Sequence, residues 1–197
     1  MTPRSTFCAL AALAAALTGC GSPTGAMVAN TPDTMSSTPP KLRAAPAPDD
    51  VMMAATPSAK QFADLAAKND AFEIAAARLA LANGASAAVK AYAAKMIAAH
   101  TQTTATITKA AAAATPAIVP DAASTSDYDT KLAELRPLRG AAFDRAYVAG
   151  QIHEHHAALS LYQLYATGGD VPGLKAAATA IIATLQQHLA MAEALAR

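Results

Sequence analysis

Apolar side chains recur at spacings of three and four over four long stretches of the chain, the period of a helix with one buried face. The first stretch predicts a helix from Ser58 to Ala82, with Phe62, Leu65, Phe72, Ala76 and Leu79 as its buried stripe. Thr56 or Ser58 can cap it, Pro57 suits its first turn, and Asn83-Gly84 closes it with residues that tolerate the left-handed conformation. The second stretch predicts a helix from Ser86 to Ala113, striped by Val89, Tyr92, Met96, His100, Thr103 and Ile107. Pro116, Pro120 and a Ser/Thr/Asp cluster interrupt the pattern, and a short helix over 127–135 follows, stopped by Pro137 and Gly140. The third long helix runs from Ala141 to Thr167 through Val148, Ile152, His155, Leu159 and Tyr162. Gly168-Gly169-Asp170 ends it and caps the fourth, Pro172 to Ala196, with Leu174, Ile181, Leu185, His188 and Leu195 inward. Two tight helix pairs joined by a longer crossover make an all-α four-helix bundle with a short extra helix in the helix 2–3 crossover.

Composition agrees with this pattern. Of 197 residues, 57 are alanine, the residue with the highest helix propensity, whereas sheets favour the β-branched and aromatic residues that are scarce here. The formal net charge of +1 provides no basic footprint for nucleic acid. Mean hydropathy is +0.23, but much of the apolar excess lies in the first twenty residues.

That segment reads as an address. Arg4 precedes an apolar run from Phe7 to Leu17, long enough for a signal peptide and too short to span a bilayer. Leu17-Thr18-Gly19-Cys20 resembles the bacterial lipobox, which implies a signal peptide over 1–19 and lipidation of Cys20. Cys8 leaves with the signal, so no disulfide is expected. Residues 20–57 are then a Pro/Ser/Thr-rich tether of a composition that does not fold, with Val51-Met52-Met53 as an apolar island, and 58–197 the domain. Gly21 after the cysteine resembles default sorting in Gram-negative bacteria, which puts the protein on the periplasmic side of the envelope, at the outer membrane. The expected partner is thus the membrane, through Cys20.

Polar residues on the apolar stripes carry the candidate chemistry. His100, His155 and His188 fall on three different stripes, and Glu73 lies beside Phe72 on the first helix. Each helix therefore offers one inward group able to ligate a transition metal such as Fe, Mn, Cu or Zn. Unpartnered buried imidazoles and carboxylates are costly, and a shared ion is one way to satisfy them. Counting from the turns, Glu73 and His100 are mismatched in depth by roughly 7 Å, and His155 and His188 by a similar amount. Asp144 and Tyr147, with Glu154, are candidates for the supporting layer around an imidazole, and His153 and His156 for a solvated face. Met96 and Met191, near His100 and His188, could extend the set toward Cu(I) but read more simply as gap-fillers in a small-residue core. The Glu-x-x-His pair of di-iron bundles is missing, since Ile97 and Leu185 stand three residues before His100 and His188.

Three runs carry a family resemblance. Val89, Lys90, Tyr92 and Ala93 lead to His100, Phe143 to Tyr147 reads Phe-Asp-Arg-Ala-Tyr, and His188 to Ala192 reads His-Leu-Ala-Met-Ala. On these the region 58–196 resembles the DUF4142 family of bacterial envelope proteins. The departures are Ala99, where the family has an aspartate before the histidine, and Glu154 in place of a second such aspartate. The resemblance implies a ferritin-like bundle and an envelope location, and adds nothing on activity.

Two functional readings follow. One is a lipid-anchored, ferritin-like protein with a transition metal in the core, held by Glu73, His100, His155 and His188. The other is a non-catalytic interaction module of the envelope stress response whose polar core is a hydrogen-bonded network. Too few carboxylates converge for a dinuclear oxidase.

Overall fold

The computed structural model describes residues 55–197. The signal peptide expected over 1–19, the expected lipid site Cys20, most of the expected tether and the Val51–Met53 island lie outside the described residues. The described part is all-helical: α1 (Ala59–Asn83), α2 (Ala87–Ala112), α3 (Ser126–Leu135), α4 (Gly140–Gly168) and α5 (Pro172–Leu195). No helix among the described residues is long and apolar enough to cross a membrane.

Local chemistry sets the helix ends. Ser58 caps α1 in a reciprocal box with Gln61, and Ser86 and Thr125 accept from Val89 N–H and Tyr128 N–H at the starts of α2 and α3. Pro57 therefore precedes the cap rather than sitting in the first turn. Asp170 does not cap α5; Val171 holds that position, and Asp170 instead accepts from the Tyr165 hydroxyl at 3.0 Å.

The α1–α2 turn departs from the expected left-handed closure. Gly84 has an extended backbone, with φ −66° and ψ 151°. Close approach is what demands glycine there: a Cβ would come within 2.7 Å of the Ala80 carbonyl oxygen and 2.8 Å of Asp144 Oδ1. That carboxylate accepts from Ala85 N–H at 3.1 Å and Ser86 N–H at 2.8 Å, tying α4 to the start of α2.

The long helices pack in the cyclic order α1–α2–α5–α4, with α1 against α2 and α4 against α5 most extensively. The core is divided along its length. One apolar cluster gathers Phe62, Ile107, Tyr162, Tyr165, Leu174, Ile181 and Leu185. The other gathers Phe72, Tyr92, Met96, Phe143, Tyr147 and Val148. The order of these residues along each helix makes neighbours in the cycle antiparallel: α1 and α5 run from the first cluster to the second, α2 and α4 the reverse. Between the two clusters every long helix contributes buried polar side chains: Asp70 and Glu73, His100 and Thr103, Gln151, Glu154 and His155, and His188.

Alanine forms much of the first helix's inner face. Ala63, Ala66, Ala76, Ala77 and Ala80 are all but completely buried, whereas Leu65 is 48% exposed, so the buried stripe of α1 matches only in part the one expected from its large side chains. Small side chains permit the close helix approach that larger ones would block. Phe62 fills the remaining space by stacking on Tyr165 with ring centroids 4.0 Å apart.

The crossover is fastened to α1 and α4. Lys68 pairs with Asp121 at 2.6 Å, Asp64 accepts from Asp121 N–H, Tyr128 stacks on Phe72, and Lys131 pairs with the buried Glu154 at 2.7 Å.

The α1–α2 turn generates a prediction. Gly84→Ala is expected to destabilise the domain by about 1–3 kcal/mol through overpacking against backbone. Asp144→Ala is expected to cost about 1–3 kcal/mol through the loss of its two hydrogen bonds from the turn amides. Urea unfolding of each variant measures both, and a Gly84→Ala protein as stable as the parent would refute the close-approach account.

Candidate metal centre

Three helices deliver one imidazole each to the same depth of the core. His100 comes from α2, His155 from α4 and His188 from α5, and all three are at most 4% exposed. Their ring centroids form a nearly equilateral triangle with sides of 5.7, 5.5 and 5.5 Å. One ligand atom from each lies within 4.8 Å of the other two. The centre of such a triangle is about 2.8 Å from each corner, so a modest inward movement reaches the ~2.0–2.1 Å of a zinc–imidazole bond.

The surrounding groups decide which nitrogens are free. His100 Nδ1 is 2.7 Å from Asp70 Oδ1, and the other Asp70 oxygen accepts from the hydroxyls of Thr103 and Thr104, each at 2.8 Å. His155 Nδ1 is 2.8 Å from the Gln151 carbonyl oxygen. Each Nδ1 thus donates its proton outward and leaves Nε2 as the lone-pair nitrogen. His100 Nε2, His155 Nε2 and His188 Nδ1 are all buried without a protein hydrogen-bond partner. An imidazole whose second nitrogen is held by a carboxylate or carbonyl is the usual arrangement of a histidine that ligates a metal.

Glu73 occupies a neighbouring position. It is fully buried, accepts from Gln151 Nε2 through Oε2, and keeps Oε1 without a protein partner. Gln151 is in turn fixed by the Tyr92 hydroxyl, 3.1 Å from its Oε1. The close set contains the three histidines and not Glu73. The depth mismatch between Glu73 and His100 is therefore a real offset: α1 meets His100 with Asp70, three residues farther from the turn.

The supporting residues expected from sequence are placed elsewhere. Asp144 does not reach an imidazole, because both its oxygens are taken by backbone amides at the start of α2. Glu154 is buried, as an inward residue would be, but its hydrogen-bond partner is Lys131. Tyr147 is buried with its hydroxyl free of protein partners. His153 and His156 are exposed. Asp70 and Gln151, which hold His100 and Glu73, are assigned no role from sequence, although Gln151 shares the helix face of Asp144 and His155. Asp70 precedes Glu73 by three positions, hence on the same face, and Gln151 precedes His155 by four; that spacing is the signal that could have found them.

Burial sets the protonation of the centre. It lowers His155 to about 4, and, with the charges of the other two histidines, His188 to about 3. Burial also acts to lower His100, but the hydrogen bond and charge of Asp70, with Glu73 behind them, outweigh it and leave His100 raised. Glu73 is raised to about 7, chiefly by burial, against the opposing effects of His100 and Gln151. At neutral pH His155 and His188 are thus neutral, the state a metal requires.

A family model described as a domain of unknown function, DUF4142, matches residues 43–195. No curated protein and no solved structure matches the chain.

These shifts predict a pH dependence for the metal-free protein. Unfolding frees His155 and His188 to take up protons that they refuse when folded, so their contribution to stability is lost as pH falls from about 6.5 toward 4 for His155 and toward 3 for His188. Glu73 acts in the opposite sense, holding when folded a proton that the unfolded chain sheds, so its contribution is lost as pH rises from about 4.5 through 7. Urea unfolding of chelator-treated protein across this range should show a shallower acid limb in His188→Leu than in the parent. An acid limb of equal slope in the two proteins would contradict the assignment.

Proposed function

The chain belongs to the DUF4142 family, whose description assigns no activity, and from its own residues we propose that it is a transition-metal-binding, ferritin-like four-helix bundle held at the periplasmic face of the envelope through lipidated Cys20. The observation that carries the metal reading is the triad itself: three buried imidazoles on three helices, each with one nitrogen that has no protein partner. Leaving a buried polar group unsatisfied costs about 1–3 kcal/mol, and three such nitrogens facing one another gain most from a common ion. The donor set is all imidazole, which suits Zn, Cu, Fe or Ni better than Mg or Ca.

The residues divide the work simply. His100, His155 and His188 would hold the ion. Asp70 orients His100 and, with Thr103 and Thr104 on its second oxygen, is itself immobilised. The Gln151 carbonyl orients His155. The ion would supply Lewis acidity or, with copper or iron, electron transfer. The antiparallel cycle of long helices joined by a crossover supports the ferritin-like reading, although the imidazole triad differs from a carboxylate-bridged pair of irons. The alternative of an envelope interaction module with a fully hydrogen-bonded polar core is less well supported, because the atoms at the centre of that core lack protein partners. The anchoring and location rest on the segment Leu17 to Cys20.

Metal analysis tests the central reading. The purified full chain, loaded separately with Fe, Mn, Cu and Zn, is expected to retain about one equivalent of at least one metal. His100→Ala/His188→Ala should retain none, and Asp70→Asn should bind about 10–100-fold more weakly. Negligible metal in parent and double variant alike would reject the proposal. Anchoring is tested by fatty-acid labelling in a bacterial host: label incorporated by the parent and lost in Cys20→Ser is expected, and an unlabelled parent would discount it.

A further inference from the structure

Three imidazoles are one donor short of the four that a tetrahedral ion takes. The fourth side of the triad belongs to α1, the one long helix that contributes no histidine. Both carboxylates of α1 near this level are visible. Asp70 is fully engaged, one oxygen on His100 and the other on Thr103 and Thr104. Glu73 is half engaged: Gln151 holds Oε2, while Oε1 is buried with no protein partner.

Glu73 is also held still. The Tyr92 hydroxyl fixes the Gln151 amide, which fixes the carboxylate, so its free oxygen is presented from a clamped position rather than from a loose side chain. Gln151 precedes His155 by one helical turn, which sets the clamp about 6 Å along α4 from the histidine level. Glu73 lies outside the set of ligand atoms within 4.8 Å of one another, so its free buried oxygen is left for a group bound between carboxylate and ion. An open position beside three histidine ligands is the arrangement of reactive rather than purely structural sites.

Resting on the metal reading above, we propose that the ion held by His100, His155 and His188 keeps one exchangeable coordination position facing α1, and that Glu73 Oε1 accepts a hydrogen bond from the water bound there. Glu73 is a positioning residue in this scheme, not a ligand. The site would then accept small exogenous ligands, such as azide-sized monovalent anions, in exchange for that water.

Cobalt(II) provides the readout, because its visible absorption reports coordination directly. The full chain, purified in detergent and loaded with cobalt, is titrated with azide, and the same titration is run on Glu73→Gln. A saturable spectral change in the parent is expected. Glu73→Gln should still take up cobalt with nearly parental affinity while its azide affinity shifts by about tenfold, since an amide facing the position can donate where a carboxylate only accepts. A cobalt spectrum in the parent that does not respond to azide overturns the open position. Loss of cobalt binding in a folded Glu73→Gln protein, or an unchanged azide affinity, overturns the positioning role. A parent that takes up no cobalt, nor any of the four metals above, rejects the metal reading itself, so the two failures are distinguishable.

Discussion

The domain is organised around a band of buried polar side chains lying between two apolar clusters. Such a band is expensive. Four of its buried atoms, on Glu73, His100, His155 and His188, have no protein partner and would each forfeit about 1–3 kcal/mol if left dry. Their sum is comparable to the whole stability of a typical domain, ~5–15 kcal/mol. A sequence selected only for stability would fill these positions with the alanine and leucine used above and below. The polar band is therefore best understood as the reason for the fold rather than a flaw in it. The apolar clusters on either side supply the burial that offsets its cost.

Rigidity of the band comes from partners that are themselves fixed. Asp70 is held by two threonine hydroxyls before it meets His100. Gln151 is held by Tyr92 before it meets Glu73, and its backbone carbonyl meets His155. One residue of α4 thus serves both the histidine level and the carboxylate level. Preorganisation of this kind matters because a ligand set loosened by an ångström binds and discriminates poorly.

The helices, their order and the crossover were legible from the chain, because proline and glycine punctuate long periodic segments. The short helix expected over 127–135 is α3, Ser126–Leu135. The convergence of His100, His155 and His188 was legible too, since each falls on a stripe of bulky residues. The inner face of α1 was legible only in part. Phe62, Phe72 and Ala76 are buried as their spacing indicates and Leu79 packs on the core, but Leu65 is exposed and alanines extend the inner face toward Asp70, where no large side chain marks it. Asp144 misled for a different reason. A helix places it two turns from Gln151 and on the same face, but the tight α1–α2 turn offers two bare amides closer by. Local periodicity says which side of a helix faces inward, whereas choosing among polar partners depends on where a distant turn happens to arrive.

The distribution of the three histidines among the helices has a mechanical consequence. His100 belongs to the first helical hairpin, α1–α2, and His155 and His188 to the second, α4–α5. An ion shared by the three is a cross-link between halves of the chain joined covalently only through α3 and its flanking loops. Apolar residues of all four long helices already join the hairpins along the α2–α5 and α1–α4 seams, and an ion would add to that packing. With the ion in place, separating the hairpins would also require breaking coordinate bonds. The resistance of the two halves to parting would then depend in part on metal supply.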